Sequence, residues 1–119
     1  MVYVGSGDHH LYALDLNQGE LLWKFKTGNK VRSTPLIHEN KLYAPSFDGV
    51  VYVLDPANGK QLWKFETDGA HLNSGNFGWD RNAINASPVI SDSLMVFGSR
   101  DGSLYCVNIN TRKLKWKFT

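Results

Sequence analysis

The sequence is poor in cysteine, in charge of one sign and in long apolar runs, and each shortage excludes something. Its single cysteine, Cys106, permits no internal disulfide and no cysteine-based metal site. The 13 basic and 11 acidic residues nearly balance, so electrostatics gives no reason to expect binding to nucleic acid. No stretch approaches the roughly 18 consecutive apolar residues of a membrane-spanning helix, and the start MVYVGSGDHH lacks the features of a signal peptide. We therefore expect a single globular domain over residues 1–119 without membrane insertion.

Helical periodicity is absent too, and instead one segment recurs three times. The copies read ALDLNQGELLW (13–23), VLDPANGKQLW (53–63) and CVNINTRKLKW (106–116). Their tryptophans lie 40 and 53 residues apart, and the surplus of 13 residues falls after Thr67. A fixed period of this length indicates a repeat architecture. We divide the chain into copies at about 2–32, 33–67 and 86–119, with an inserted loop at about 68–85.

The copies also share a register upstream of the tryptophan. The aligned residues are Ser6, Ser46 and Ser99, then Asp8, Asp48 and Asp101, then Tyr12, Tyr52 and Tyr105. Within a copy, short runs rich in valine, tyrosine, leucine and phenylalanine alternate with period two between turn residues, which is typical of strands. In the second copy these runs are STPLIH (33–38), KLYAPS (41–46), VVYVLD (50–55) and QLWKFE (61–66).

A unit of four strands repeating every 40 or so residues is typical of a β-propeller blade. The pairs Asp48-Gly49 and Asp101-Gly102 lie between the second and third strands, where Asp-Gly favours a tight hairpin. We predict an all-β chain, a β-propeller segment of about three four-stranded antiparallel blades. The first blade would lack its inner strand, because copy one starts at its second strand.

The recurring tryptophan is best explained as a device that docks one blade on the next. Neighbouring residues of a strand point to opposite faces, so Trp23 and Phe25 would share a face towards the adjoining blade. A buried tryptophan needs a partner for its N–H group and a flat surface of small residues. The turn before it contains an aspartate that can accept backbone N–H bonds and a glycine that tolerates positive φ. The predicted docking residues are Asp15, Gly19, Trp23, Asp55, Gly59, Trp63, Asn108 and Trp116.

The pattern Ala-x-Asp-x-x-x-Gly-x-x-x-Trp, preceded by a strand such as LYAPS and an Asp-Gly hairpin, resembles the pyrroloquinoline quinone (PQQ) repeat. In that family of β-propellers, a tryptophan-docking motif locks the blades together. The resemblance covers nearly the whole chain outside 68–85. Copy three departs from it, with Asn108 in place of the aspartate and Arg112 in place of the glycine.

The resemblance implies a fold more firmly than a function. The repeat occurs in quinone-dependent dehydrogenases and also in propellers that bind no cofactor, such as an outer-membrane assembly lipoprotein and sensor domains. The dehydrogenases typically add a pair of adjacent cysteines and a calcium ion, whereas Cys106 stands alone here. The resemblance therefore favours a non-catalytic scaffold or binding module for protein assembly or ligand sensing, without a cofactor. The alternative is part of a PQQ-dependent alcohol or sugar dehydrogenase with PQQ and calcium. The family resemblance suggests the periplasm or cell envelope of a prokaryote.

A partner surface is expected where the hairpins and the links between blades emerge on one side, because loops on a rigid scaffold commonly carry function. The candidates are His9, His10, Arg32, Phe47, His71, Phe77, Trp79, Arg81 and Arg100. Phe77 and Trp79 could equally form a local plug over the end of the ring. The histidines and Asp8 are metal-ligand types, but no spacing among them defines a tetrahedral site, so we predict no metal.

The ends of the segment raise the question of what covers them. Three blades are fewer than the four to eight that usually close a propeller. Each end would expose an aromatic docking face larger than soluble monomers tolerate. The chain is then a piece of a longer propeller, which we favour, or its copies assemble to complete a ring, most simply as a homodimer. The expected partners are accordingly a protein or further copies of this chain.

Overall fold

The computed structural model describes residues 1–31, 33–71, 84 and 87–119. In this part of the chain eleven strands form three antiparallel sheets, which we call blades 1, 2 and 3. Blade 1 contains β1 (Val2–Gly5), β2 (His10–Leu14) and β3 (Leu21–Lys26). Blade 2 contains β4 (Leu36–His38), β5 (Lys41–Pro45), β6 (Val50–Leu54) and β7 (Gln61–Glu66), followed by a short 3-10 helix at Asp68–His71. Blade 3 contains β8 (Val89–Ser91), β9 (Leu94–Gly98), β10 (Leu104–Asn108) and β11 (Lys113–Phe118).

The strands of each blade are hydrogen-bonded in chain order, so each blade is a meander. This arrangement confirms the predicted all-β propeller segment, with three strands in the first blade and four in the other two. No helix among the described residues is long and apolar enough to cross a membrane.

Blade 2 lies between the other two blades and is buried on both faces. All five residues of β6 are buried, which explains why its sequence, VVYVL, is apolar without alternation. Val50 and Tyr52 face the core shared with blade 1, whereas Val51 and Val53 face the core shared with blade 3. One strand therefore joins two separate hydrophobic cores.

The two cores are interfaces between blades. The first contains Leu11, Val31, Leu42, Ala44, Val50, Tyr52 and Leu54, with Tyr3, Trp23, Phe25 and Ala70 packed against it. The second contains Tyr43, Val51, Val53, Trp63, Ile84, Met95, Phe97, Tyr105, Val107 and Ile109, with Leu36, Phe65 and Ile90 packed against it. Apolar burial between sheets thus supplies the main stabilising contribution, at about 25 cal/mol per Å².

Each blade has the same irregularity at the same place. The register between its last two strands shifts at Ala13/Leu14, at Val53/Leu54 and at Cys106/Val107. Such a bulge inserts one extra residue in the outer strand and increases the local twist. Beyond the bulge, the outer strand pairs each tryptophan with a residue of the strand before it: Trp23 with Ala13, Trp63 with Val53 and Trp116 with Cys106.

Candidate functional site

The contacts between blades lie at two ends of the sheets. We call turn end the side that carries the turns 15–20, 55–60 and 108–112, between the last two strands of each blade. We call hairpin end the opposite side, which carries the hairpins 6–9, 46–49 and 99–103 and the links between blades. The turn end carries the docking residues, and the hairpin end carries the candidate partner surface.

The three turns at the turn end have one geometry. The side-chain oxygens Oδ1 of Asp15, Asp55 and Asn108 each accept the backbone N–H group two residues ahead, at 2.9 Å. The residue four positions on has positive φ: 69° at Gly19, 75° at Gly59 and 63° at Arg112. The third turn therefore has the same conformation, although Asn108 and Arg112 replace the aspartate and the glycine of the repeat. Asparagine provides the same acceptor as aspartate, and arginine adopts the left-handed conformation at some cost in strain.

Trp23 shows how a blade docks on the next one. Its indole N–H donates to the backbone carbonyl of Pro56 at 2.8 Å, in the turn of blade 2. The ring lies on Gly59, where an added methyl group would come within 2.5 Å of a ring carbon. The positive φ favours glycine at this position, and the closeness of the ring leaves no room for a larger residue. Tyr3 adds a tilted aromatic contact with Trp23, at 5.8 Å between centroids.

Trp63 makes the corresponding contact with blade 3 by a different chemistry. The guanidinium carbon of Arg112 lies 5.6 Å from the centroid of the Trp63 ring, within the range of a cation–π interaction. Ile109 and Tyr43 pack in the same core, the latter edge-on at 6.5 Å. Trp63 is only 8% exposed. Arginine therefore takes the place that glycine has in the first interface.

In β3 and in β7, the aromatic residue two positions after the tryptophan also contacts the next blade. Phe25 of blade 1 meets Tyr52 of blade 2 edge-on at 5.3 Å between centroids. Phe65 of blade 2 meets Tyr105 of blade 3 at 6.1 Å and Phe97 at 6.3 Å. Edge-to-face pairs of this kind add to the energy of apolar burial. Because side chains two positions apart lie on the same face of a strand, the tryptophan and the phenylalanine contact the same neighbouring blade.

The repeated aspartate and tyrosine close the first interface at the hairpin end. Asp48 accepts the backbone N–H of Gly28, the link residue that follows blade 1, at 2.9 Å. It also accepts the backbone N–H of Val50 at 3.0 Å and the hydroxyl of Tyr52 at 2.5 Å. Ser46 donates to the hydroxyl of Thr27 at 3.2 Å. The carboxylate therefore joins its own hairpin to the preceding blade.

The second interface repeats this arrangement. Asp101 accepts the backbone N–H groups of Gly69 and Ser103, both at 3.0 Å, and the hydroxyl of Tyr105 at 2.5 Å. The same hydroxyl accepts the N–H of Asp68 at 3.1 Å. Burial, followed by the bond to the carboxylate, raises the pKa of Tyr52 and that of Tyr105 above the ordinary tyrosine value. Both tyrosines therefore keep their protons to a higher pH than an exposed tyrosine does.

In blade 1 the corresponding residues lie at the surface. Asp8 accepts the hydroxyl of Tyr12 and the backbone N–H of His10, the latter at 3.0 Å. The bond to Tyr12 lowers the pKa of Asp8, and the same bond raises the pKa of Tyr12. His10 Nδ1 lies 3.5 Å from the carboxylate. These side chains are therefore organised in advance, like their counterparts in blades 2 and 3, but on an exposed surface.

His9 is the strained residue of this group. It has φ of 76°, at the position where the other hairpins have Gly49 and Gly102. Its carbonyl accepts both the backbone N–H and the hydroxyl of Thr27, at 2.8 and 3.1 Å, which holds the conformation. The first hairpin therefore has the conformation of the other two, with histidine in the place of glycine.

The structure separates the candidate partner residues into three groups. His9 and His10 are half-buried and Arg100 is exposed at the hairpin end. Phe47 is only 7% exposed, which removes it from the surface candidates because its side chain belongs to the interior. The remaining candidates lie outside the described residues: Arg32, Phe77, Trp79, Arg81 and the side chain of His71.

The sequence did not predict that the aligned serine, aspartate and tyrosine residues join neighbouring blades at the hairpin end. The available signal was their register across all three copies, but a register alone does not say which bond each residue makes. Cys106 is a buried free thiol in β10. Within the described residues, no group of three or more His, Cys, Asp or Glu side chains could hold a metal ion.

The three blades and their repeated interfaces define a segment of β-propeller built from tryptophan-docked repeats. A family model described as "Outer membrane protein assembly factor BamB" matches residues 1–116. The chain belongs to this family, as its resemblance to the PQQ repeat implied.

Solved structures share the fold. BamB from Moraxella catarrhalis matches with a TM-score of 0.72 and 21% identity, over 98% of this chain and 32% of that chain. A europium-containing methanol dehydrogenase gives 0.72 and 22% identity, over 97% of this chain and 22% of that chain. A quinohemoprotein alcohol dehydrogenase from Comamonas testosteroni gives 0.74 and 19% identity, over 98% of this chain and 19% of that chain. At these identities the likeness shows the fold alone.

A curated relative shares the sequence more closely. The β-alanine-activating enzyme of Danio rerio is 29% identical in an alignment that covers 94% of this chain and 9% of the enzyme. The chain thus spans less than a tenth of that relative and about a third or less of the solved structures.

Proposed function

We propose that the chain is a non-catalytic propeller segment that acts as a scaffold and binds a protein at its hairpin end. Its partners are proteins, either a different protein or further copies of this chain. PQQ, calcium and nucleic acid have no part in this proposal.

The observation that carries the proposal is that the repeated carboxylates join neighbouring blades. Asp48 and Asp101 each accept three hydrogen bonds from their own hairpin and from the preceding link. Calcium takes six to eight oxygen ligands and needs carboxylates that converge on one point. The described carboxylates do not fit such a site, because each of them already accepts hydrogen bonds that join two blades. These acids therefore support rigidity of the scaffold.

Exposed polar side chains at the hairpin end support a partner surface there. Arg100 is exposed in the third hairpin, and His9 and His10 are half-buried at the first. Arginine and aromatic or amphipathic side chains are favoured at protein interfaces. Because the aspartates hold these hairpins in one conformation by hydrogen bonds, the surface loses little conformational entropy when a partner binds.

The relatives support the scaffold role in different ways. The family description is that of an assembly factor for outer membrane proteins, which supports binding to proteins and a place in a cell envelope. In the Danio rerio enzyme the matching segment is 9% of the whole, a share that suits an accessory part better than a complete catalytic unit. Part of a PQQ-dependent dehydrogenase remains the alternative, on the likeness of fold to two dehydrogenases.

Site-specific photo-crosslinking tests the proposed surface in the cells that produce the protein. A photoreactive side chain replaces Arg100 at the hairpin end, and in a control it replaces Asn110, which is exposed at the turn end of the same blade. We expect a discrete protein adduct from position 100 and none from position 110. Equal adducts at both positions, or none at position 100, would contradict the proposal.

A further inference from the structure

The outer strands β3, β7 and β11 form the rim of the segment and concentrate its positive charge. Within the described residues each of them pairs with only one other strand, β2, β6 or β10, so each has one open edge. Together the three strands contain six lysines and one glutamate, a net charge of +5, whereas the whole chain has a net charge of +2. The remainder of the chain is therefore negative, and the rim is the basic part of the surface.

Blade 2 shows which rim positions stay exposed when a blade has a neighbour on both sides. Leu62 is 42% exposed, and the side chains of Lys64 and Glu66 are 46% and 42% exposed. These positions are open because the outer strand lies at the edge of its blade, and they are open with both neighbouring blades present. Their counterparts in β3 are Leu22, Lys24 and Lys26, all of them exposed or partly exposed.

The two lysines of β3 have no acid to neutralise them. Within the described part of the chain, the side chains of Lys24 and Lys26 have no ion-pair or hydrogen-bond partner. In β7, by contrast, the ammonium group of Lys64 lies 3.4 Å from the carboxylate of Glu66, which takes the place of Lys26. The edge of β3 thus presents two uncompensated positive charges, whereas the edge of β7 presents an ion pair.

An open strand edge is a template for another extended chain, because its outward N–H and C=O groups are unpaired. Lys24 and Lys26 are two positions apart, so they lie on the same face of β3. A strand added to this edge places alternate side chains opposite them. Lysines there repel a second basic strand and form favourable cross-strand pairs with carboxylates. The charge of the edge therefore selects an acidic segment.

The bulge in β3 limits the length of such a segment. The register with β2 shifts between Ala13 and Leu14, so the regular part of the edge is residues 23–26. Leu22 lies just before this part and is 46% exposed. A short segment with alternating acidic residues and an apolar residue at one end would match both features.

We propose that the outer edge of β3 binds an acidic, extended segment of a partner protein by strand addition. Carboxylates of the segment lie opposite Lys24 and Lys26, and an apolar side chain contacts Leu22. This rim surface is separate from the hairpin end of the proposed function. Crosslinking at position 100 tests the hairpin end alone, and loss of the rim contact would leave that adduct unchanged.

Fluorescence anisotropy with a labelled decapeptide of alternating glutamate and valine tests the rim contact on the 119-residue chain. Lys26→Glu gives β3 the ending that β7 already has, Lys-Phe-Glu, so the variant keeps a sequence that folds as an outer strand. We expect saturable binding by wild type and binding weaker by about tenfold or more in Lys26→Glu, because glutamate then faces glutamate. Lys41→Glu, at the start of β5 and away from the rim, makes the same change of charge and should leave the affinity within about twofold.

Two further measurements separate strand addition from attraction between charges alone. The same peptide methylated at every backbone nitrogen keeps its carboxylates but cannot donate to a strand edge, so it should not bind. The amide hydrogens of β3 should exchange more slowly when the unmodified peptide is bound. No binding of that peptide by wild type, equal affinity for the methylated peptide, or equal losses in Lys26→Glu and Lys41→Glu would overturn the proposal. Binding of phosphatidylserine vesicles without binding of the peptide would overturn it too, in favour of a lipid surface.

Discussion

Single side chains in this protein serve two blades at once. The carboxylate of Asp48 bonds its own hairpin and the link that follows blade 1, and the indole of Trp23 leaves blade 1 to bond the turn of blade 2. Hydrogen bonds that involve a charged group contribute about 1.5 to 3 kcal/mol, more than neutral ones. A few residues per copy therefore fix the relative placement of neighbouring sheets.

The raised pKa values of Tyr52 and Tyr105 predict that the protein loses stability in alkali. Above the ordinary tyrosine pKa of about 10, the unfolded chain has lost these protons while the folded chain still binds them. The free energy of unfolding must then fall as pH rises, by at most about 1.4 kcal/mol per pH unit for each tyrosine.

Urea unfolding between pH 8 and 11 measures this slope. The double variant Tyr52→Phe/Tyr105→Phe should be less stable at pH 8, because two bonds to carboxylates are lost, but its stability should fall less steeply above pH 10. Identical slopes for the double variant and wild type would show that these hydroxyls do not hold their protons on folding.

At the scale of elements, the outer strand of each blade is the docking element. Its alternation puts Trp23 and Phe25 on the interface and leaves Leu22 and Lys24 exposed. The bulge in the outer strand lies at the same position in every blade, so each tryptophan has the same place in its sheet. Repetition of one strand and one turn is therefore enough to stack the sheets.

Removal of a docking tryptophan should be strongly destabilising. Trp63→Ala is expected to lower the free energy of unfolding by about 3 to 5 kcal/mol, as truncations of large buried aromatics do. Its neighbour Leu62, on the other side of the strand and 42% exposed, provides the control, and Leu62→Ala should cost about 1 kcal/mol or less. Denaturant unfolding compares the two. A loss below about 1 kcal/mol for Trp63→Ala would contradict its docking role.

Gly59 and Gly19 form a matched pair that isolates the contact with the ring. Both have positive φ, so alanine at either position adds strain of about 1 to 2 kcal/mol. Only at Gly59 would the new methyl group also displace Trp23. Gly59→Ala should therefore lower the free energy of unfolding more than Gly19→Ala does. Equal losses in thermal unfolding would mean that Trp23 does not need a glycine beneath it.

At the scale of the whole molecule, the repeat made the architecture predictable. Period-two alternation, Asp-Gly hairpins and the spacing of Trp23 and Trp63 were sufficient for three meandering sheets, because each feature is local and recurs. The need for a carbonyl and a small residue beneath a buried indole also followed from the chemistry of tryptophan.

The remaining features depend on contacts between distant residues. Phe47 appeared to be a surface residue by its place in a hairpin, but the fold buries it, and loop position does not reveal burial. Arg112 breaks the glycine pattern, and only the structure shows that its guanidinium lies over Trp63. The bond from Gly28 to Asp48 joins residues of different copies, which alternation within a copy cannot predict.

Titration with PQQ and calcium distinguishes a scaffold from part of a quinone-dependent dehydrogenase. Calorimetry and absorbance would follow binding to the chain, and reduction of an electron-accepting dye after addition of an alcohol would report turnover. We expect no saturable binding in the micromolar range and no dye reduction, because the described carboxylates are committed to joining blades. Micromolar or tighter binding accompanied by alcohol-dependent dye reduction would contradict the scaffold function and establish the dehydrogenase alternative.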